Sequence, residues 1–424
     1  MHSHLKIIFK DILNWLPNSF VEKILSFAAY SDQKKKFSSI YKKLSENKRM
    51  SLVGKYPRCT QYDLVESLGV EQILKPQSIE KVCFPEIANL ASDCYVKILH
   101  GPIKLHQLVD VSLFYKSDVI VGNGVALWEK FFKPQFSHTL PIDYNLATFD
   151  FRKEAITCFN PKAEKLVEGL SFKLSGTNSD KWGHFVLQYI PKLEWVLGNT
   201  ECQTVNLILD DSIQKHSEEL IDLIQSETKH FKKIIKIKKD ETIRCENLIH
   251  LNEINYINEH GFSSSIASTV ISEFGIDLLH KFRLRLPPQA VGKAQRIYIG
   301  RGGSRSLINR EEIESEFERC GFSFVSPHEL TLDEKLDVFS NVEYLAGPFS
   351  SGFTNIIFNK GPVKIIGMFN YNRCFDPLMS GWLQGRGTNE VHCIVGKNYA
   401  SADLNQSFYI DPVIVRRKLE AFNF

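Results

Sequence analysis

The chain has 424 residues, 43% of them hydrophobic and 24% charged, a balance that excludes a disordered or fibrous protein and leaves room for two or three cores at roughly 150 residues each. A formal net charge of +3 is too mild for the dense basic stripe that nucleic acid demands. The 9 Cys show no CxxC pair or short regular spacing, which fits reduced thiols in a reducing compartment better than a disulfide framework.

Residues 1–50 read as a helical segment. Apolar residues recur at helix spacing over Leu5 to Trp15 and again over Phe20 to Tyr30, followed by Lys34, Lys35 and Lys36. Such a segment either packs on the protein's own core or makes peripheral contact with an anionic membrane surface. It lacks the basic, apolar and small-residue order of a secretory signal, and no apolar run in the chain approaches the ~20 residues of a spanning helix.

Residues 51–286 read as a first α/β domain. Short apolar runs at Lys97 to Leu99, Leu108 to Leu113 and Asp118 to Val121, the last before Gly122, Asn123 and Gly124, predict strands with hairpin turns. From Trp182 onward the signals alternate: a helix over Phe185 to Val196, a strand over Val205 to Leu209 ending in Asp210 and Asp211, a helix over Ser217 to Thr228 and a strand over Ile234 to Ile237. That alternation predicts parallel βαβ units.

Leu286 to Gly292, rich in proline and glycine, reads as the boundary, and residues 293–424 as a second α/β domain. It opens with a strand over Arg296 to Gly300, then a helix Arg310 to Arg319, a strand Phe322 to Val325, a helix Leu332 to Phe339 and a strand Tyr344 to Ala346. A loop from Gly347 to Gly352, a helix through Phe358 and a strand Val363 to Met368 follow. The expected fold is therefore two Rossmann-like domains facing across a cleft, with ligands at the carboxyl ends of the strands.

Three segments carry candidate chemistry. Ile299, Gly300, Arg301, Gly302, Gly303 and Arg305 form a strand-to-helix loop whose amides and two arginines suit a phosphate, although no Walker lysine follows; a plain surface turn with solvated arginines is the alternative. Asn309 can cap the next helix, with Glu311 and Glu312 in its first turn. Gly347, Ser350, Ser351, Gly352, Thr354 and Asn355 offer a close backbone approach, hydroxyls and a helix start, the features of either a diphosphate cradle or an ordinary capped helix. His184, beside Trp182 and Gly183, can take a proton from an acceptor hydroxyl or can be a core residue; Asp210 and Asp211 at a strand end are the rival bases. The two adjacent aspartates point apart on a strand, and no metal-ligand spacing occurs elsewhere, so no obligatory metal or other cofactor is expected.

Taken together and in this order, the segments resemble glycosyltransferase family 61, the capsular polysaccharide biosynthesis type, over about Lys181 to Met368. Trp182, Gly183, His184 and Phe185 with Ile190, Pro191, Lys192 and Leu193 stand for its first motif. Tyr298, Arg301, Arg305, Asn309 and Glu311 stand for its second, and Gly347 through Asn355 for its third. The chain departs from it at Phe349, where relatives carry His, at Gly367, where many carry Glu, and at Gln188, where an acidic residue is common.

The resemblance implies a GT-B-type architecture, a first domain on the acceptor side and a second that binds a nucleotide sugar. It implies inverting transfer of the sugar to a saccharide or lipid-linked glycan acceptor, in the cytoplasm or peripherally on the inner face of the cytoplasmic membrane, in bacterial capsule or lipopolysaccharide synthesis. By it Arg301, Arg305, Asn309, Glu311, Gly347, Ser350, Ser351, Gly352, Thr354 and Asn355 are donor-binding. The three departures leave open a catalytically inactive scaffold subunit of a polysaccharide assembly complex.

Overall fold

The computed structural model describes residues 59–128 apart from 66–67, 84–85 and 88–94; 146–199 apart from 151–154 and 160–162; 204–255 apart from 240; 271–287; and 295–424 apart from 304, 371–381, 384–387 and 398–405. The two expected N-terminal helices, the lysine run and most of the Leu286 to Gly292 segment lie outside those residues. No helix among the described residues is long and apolar enough to cross a membrane.

The chain is mixed α/β, and among the described residues 11 strands form one sheet, 6 a second and 2 a small ribbon. The first sheet contains a parallel block in which Phe231–Ile237, Val205–Asp210, Ala163–Lys173 and Glu241–Leu251 lie side by side. Every residue of Val205–Asp210 is buried, as a strand covered on both faces requires. Counting these strands in chain order, their spatial order is 3-2-1-4, so the sheet reverses direction of build between Ala163–Lys173 and Glu241–Leu251.

Beyond that block the sheet turns antiparallel: Glu241–Leu251 pairs with Ile103–Phe114, and hairpins follow. Asn123 and Gly124, with φ of 52° and 76°, make the two-residue turn between Ile120–Gly122 and Val125–Leu127, since both backbone positions need the left-handed region that Asn and Gly tolerate. The first sheet is thus wider and more mixed than a Rossmann unit, because the early hairpins extend the same hydrogen-bonded surface instead of packing separately.

The second sheet is parallel throughout: Ser323–Val325, Gln295–Ile299, Val342–Pro348, Lys364–Asn370, Glu390–Gly396 and Glu86–Ile87. Its last edge comes from the early part of the chain. The five strands of the later part have the order 2-1-3-4-5, with the reversal between Gln295–Ile299 and Val342–Pro348. Helices Arg310–Arg319 and Leu332–Phe339 have the bounds that periodicity predicts; the latter opens with a capping box between Thr331 and Glu334.

One hydrophobic cluster joins both sheets. Trp182, Phe185, Leu193 and Leu209 from the first half share it with Ile299, Phe349, Phe353 and Phe358 from the second. The seam between the halves is therefore a continuous core over this stretch.

Candidate functional site

In an open parallel sheet, ligands settle beyond the carboxyl ends of the two strands between which the order reverses. In the second sheet those ends are Ile299, leading into Arg301, and Pro348, leading into the Ser350 to Asn355 turn. The two loops touch: Arg301 Nη1 donates to the Phe349 carbonyl at 3.1 Å. Gly347 makes the approach feasible. Its φ is 139°, and a Cβ there would sit 2.3 Å from the Ile299 carbonyl oxygen, so only a residue without a side chain fits.

Beyond Gly347 the chain turns into a 3-10 helix, Ser351–Phe358, where the sequence predicts a helix without specifying its type. The Ser350 hydroxyl accepts from the Gly352 amide, which caps it. Thr354 Oγ1 donates to the Ser351 carbonyl at 2.6 Å and Asn355 Nδ2 to the Gly352 carbonyl at 2.7 Å. These three side chains thereby shape the turn, while Ser351 is exposed. Asn355 Oδ1 is buried without a hydrogen-bond partner among the described residues, an uncommon condition in a folded protein.

The carboxyl ends at the reversal of the first sheet are Lys173, leading to the loop before His184, and Leu251, leading to Glu253. His184 ends a short α turn, Trp182–His184, followed by a π turn, Phe185–Tyr189, and an α-helix, Ile190–Gly198. The Ile190 amide reaches back to the Phe185 carbonyl, a wide closure that is frequent at functional sites. Asn255 Nδ2 donates to the Leu187 carbonyl within that turn at 2.7 Å, and Asn255 Oδ1 receives the Ser272 amide. His184 Nδ1 lies 2.7 Å from Gln188 Oε1, the spacing of four that puts two helical side chains on one face.

Asp210 and Asp211 part company, because the strand ends at Asp210 and Asp211 opens the turn that follows. Asp211 is exposed. Asp210 is fully buried, and its carboxylate accepts the Lys116 amide at 3.0 Å. Burial pushes its pKa up from 3.8, opposed by the positive charge of Lys173. A carboxyl with a raised folded pKa binds more protons folded than unfolded, so the stability it supports is lost as pH rises from 3.8 toward the folded value. Asp210→Asn is expected to flatten that loss; urea denaturation at a series of pH values from 4 upward would reveal an unchanged slope if the group is not responsible.

The two carboxyl-end sites meet. A Cβ on Gly183 would lie 2.9 Å from the Ser351 Cβ, so glycine allows the helix that carries His184 to seat on the start of the 3-10 helix. Trp182 fixes the junction, its ring 6.0 Å from that of Phe358 and 6.5 Å from that of Phe185. Lys335 from Leu332–Phe339 places its ammonium 5.1 Å from the Trp182 ring centre; burial pushes its pKa down to about 8.

Of the residues singled out by sequence, His184, Arg301, Gly347, Ser350, Ser351, Gly352, Thr354 and Asn355 gather along this seam. Arg305 follows Arg301 in the left-handed region, φ 61°. Asn309 is turned elsewhere: its amide donates to the Ile410 carbonyl at 2.8 Å and to Glu312 at 3.1 Å, and its oxygen accepts the Ile410 amide. It occupies the cap position without a capping hydrogen bond, because those contacts consume both ends of its amide. Glu311 is exposed on the first turn of Arg310–Arg319.

Glu253 and Lys335 went unnoticed in the sequence, and Lys192 was singled out only as part of the first motif, without its partner. The alternation Ile243, Arg244, Cys245, Glu246, with burial following it, is the strand signal that would have led to Glu253. Among the described residues no group of three or more His, Cys, Asp or Glu could hold a metal ion.

Residues 182–366 match the family model described as Glycosyltransferase 61. No curated protein matches the chain. The matched segment starts with the Trp182–His184 turn and ends in the strand Lys364–Asn370, so it includes both loops of the seam. By that match residues 182–366 are similar to the glycosyltransferase 61 family.

Proposed function

We propose that the protein is an inverting glycosyltransferase of GT-B type that moves a sugar from a nucleotide-sugar donor to a saccharide or lipid-linked glycan acceptor. The observation that carries this reading is the meeting of two strand-order reversals at Gly183 and Ser351, one presenting His184 and the other Arg301 with a capped helix start. The second half takes the donor. Arg301, Arg305 and the amides at the start of Ser351–Phe358 receive the diphosphate or monophosphate, which gains negative charge as the glycosidic bond breaks. The orphaned Asn355 Oδ1 suits a ligand hydroxyl.

In the reaction the acceptor oxygen attacks the anomeric carbon as the bond from that carbon to the phosphate oxygen breaks. The acceptor proton passes to Nε2 of His184, and the electron pair leaves with the nucleotide. The charge is met by arginine and helix-start donors, so no metal or cofactor is assigned. Asp210 is a poor base because its buried oxygens already serve the Lys116 amide and Ser179; Asp211 remains the rival. The setting proposed is bacterial surface-glycan synthesis at the cytoplasmic side of the membrane, with residues 1–50 as peripheral contact.

Arg301→Ala tests the donor site. A thermal-shift panel of UDP-, GDP- and CMP-sugars on the full chain identifies the donor, since a binder raises the melting midpoint by mass action. With that donor, Arg301→Ala is expected to lower kcat/KM by about 10²- to 10³-fold. Unchanged kinetics remove the phosphate role. A wild-type chain that binds no nucleotide by calorimetry favours the scaffold reading instead.

A further inference from the structure

Behind His184 runs a line of polar side chains that crosses the reversal of the first sheet. His184 Nδ1 lies 2.7 Å from Gln188 Oε1; Gln188 Nε2 donates to Glu253 Oε2 at 3.3 Å; Lys192 Nζ donates to Glu253 Oε1 at 3.0 Å. The Lys192 and Glu253 side chains are 7% and 6% exposed and Gln188 is buried. A buried carboxylate needs a counter-charge and hydrogen bonds, and Lys192 and Gln188 supply them.

The chemistry of each group dictates the next. An ionised carboxylate only accepts, so the Gln188 amide must turn its NH2 to Glu253. Its oxygen then faces His184 and also only accepts, so the imidazole must hold its proton on Nδ1. In the neutral ring the lone pair is thereby assigned to Nε2. An amide alone would not decide this, because it could flip and donate from its NH2 to a lone pair on Nδ1 instead.

We infer that Glu253 is a positioning residue that sets the His184 tautomer through Gln188. The work of a carboxylate bonded directly to a catalytic imidazole, which holds the ring in one tautomer and orientation, is here divided between a charge on one strand end and an amide on the helix. Glu253 is held for it by its place just beyond Glu241–Leu251, and Gln188 by the π turn that Asn255 secures. The value of this arrangement for transfer rests on the reading of His184 as base; the tautomer assignment does not.

The test is long-range proton–nitrogen NMR on the full chain labelled with 15N-histidine, at pH 8, where an ordinary imidazole is neutral. His184 is identified by the signal lost in His184→Ala. The wild type is expected to show His184 as a single species protonated at Nδ1, with Nε2 strongly downfield. In Glu253→Gln, which still offers Lys192 an oxygen but lets the Gln188 amide turn, an Nε2-protonated species is expected to appear. Turnover is expected to fall about 10- to 100-fold with KM unchanged, as for other outer-shell partners of functional imidazoles.

An Nε2-protonated ring in the wild type, or an undisturbed Nδ1-protonated ring in Glu253→Gln, overturns the inference. If Glu253→Gln does not fold, Gln188→Leu breaks the same link while keeping the Lys192–Glu253 pair, and the same two spectra decide. Failure of the base reading shows elsewhere, as wild-type transfer rates in His184→Ala.

Discussion

His184→Ala is expected to lower the turnover of sugar transfer by about 10²- to 10⁴-fold, the usual contribution of a positioned general base, while leaving donor affinity near its wild-type value. The separation follows from the geometry. His184 stands on the helix from the first sheet, whereas Arg301 and the capped turn stand on the second, so removing the imidazole takes away a proton acceptor without touching the groups that would hold phosphate. Steady-state kinetics and calorimetry on the same preparation check both halves of the statement. Asp211→Asn is the comparison: a larger loss there than at His184 would move the base to the strand end.

Gly347→Ala is expected to be the most damaging single methyl added to the second sheet, at about 3 kcal/mol or more of lost stability. Two costs combine. At φ 139° a side chain is strained before any neighbour is counted, and its Cβ would sit 2.3 Å from the Ile299 carbonyl oxygen, which is backbone and cannot rotate away. The displaced atoms belong to the strand that leads into Arg301, so donor binding should weaken along with stability. Chemical denaturation gives the first quantity and nucleotide titration the second. A fully stable Gly347→Ala that binds nucleotide less well would mean that the loop yields locally; one that binds normally would mean that the tight crossing of the two strands is dispensable.

The second half was the more legible in the sequence because each of its elements is local. Ile297, Tyr298 and Ile299 form an apolar run bounded by glycine, the residues Arg310 to Arg319 carry a 3.6-residue apolar stripe, and Thr331 with Glu334 announces a helix start. The contact of Arg301 with Phe349 could only be anticipated as two loops at one end of a sheet. What the sequence hid was long-range. That Glu86–Ile87 closes the second sheet depends on a partner some 300 residues away, and that Glu253 reaches Gln188 depends on which strands are neighbours. Asn309 misled for a related reason: cap propensity is a local preference, and here the backbone of Ile410 outbids it for the same amide. Phe349 also reads differently in place, since its ring lies 5.0 Å from Phe369 and 5.7 Å from Phe353 and so fills core.

The five-residue turn Phe185–Tyr189 carries a consequence for how the protein can change over time. An ordinary helix would accommodate the loss of one residue there by closing into regular 3.6-residue winding, and the segment would remain well folded. A residue removed from the regular helix beyond the turn instead rotates everything on one side by about 100° relative to the other. Leu193 and its neighbours would then leave the core, or the turn that carries His184 and Gln188 would leave the seam. The wide turn is thus the place where this helix can lose a residue and keep its phase, between the end that carries His184 and the end packed in the core.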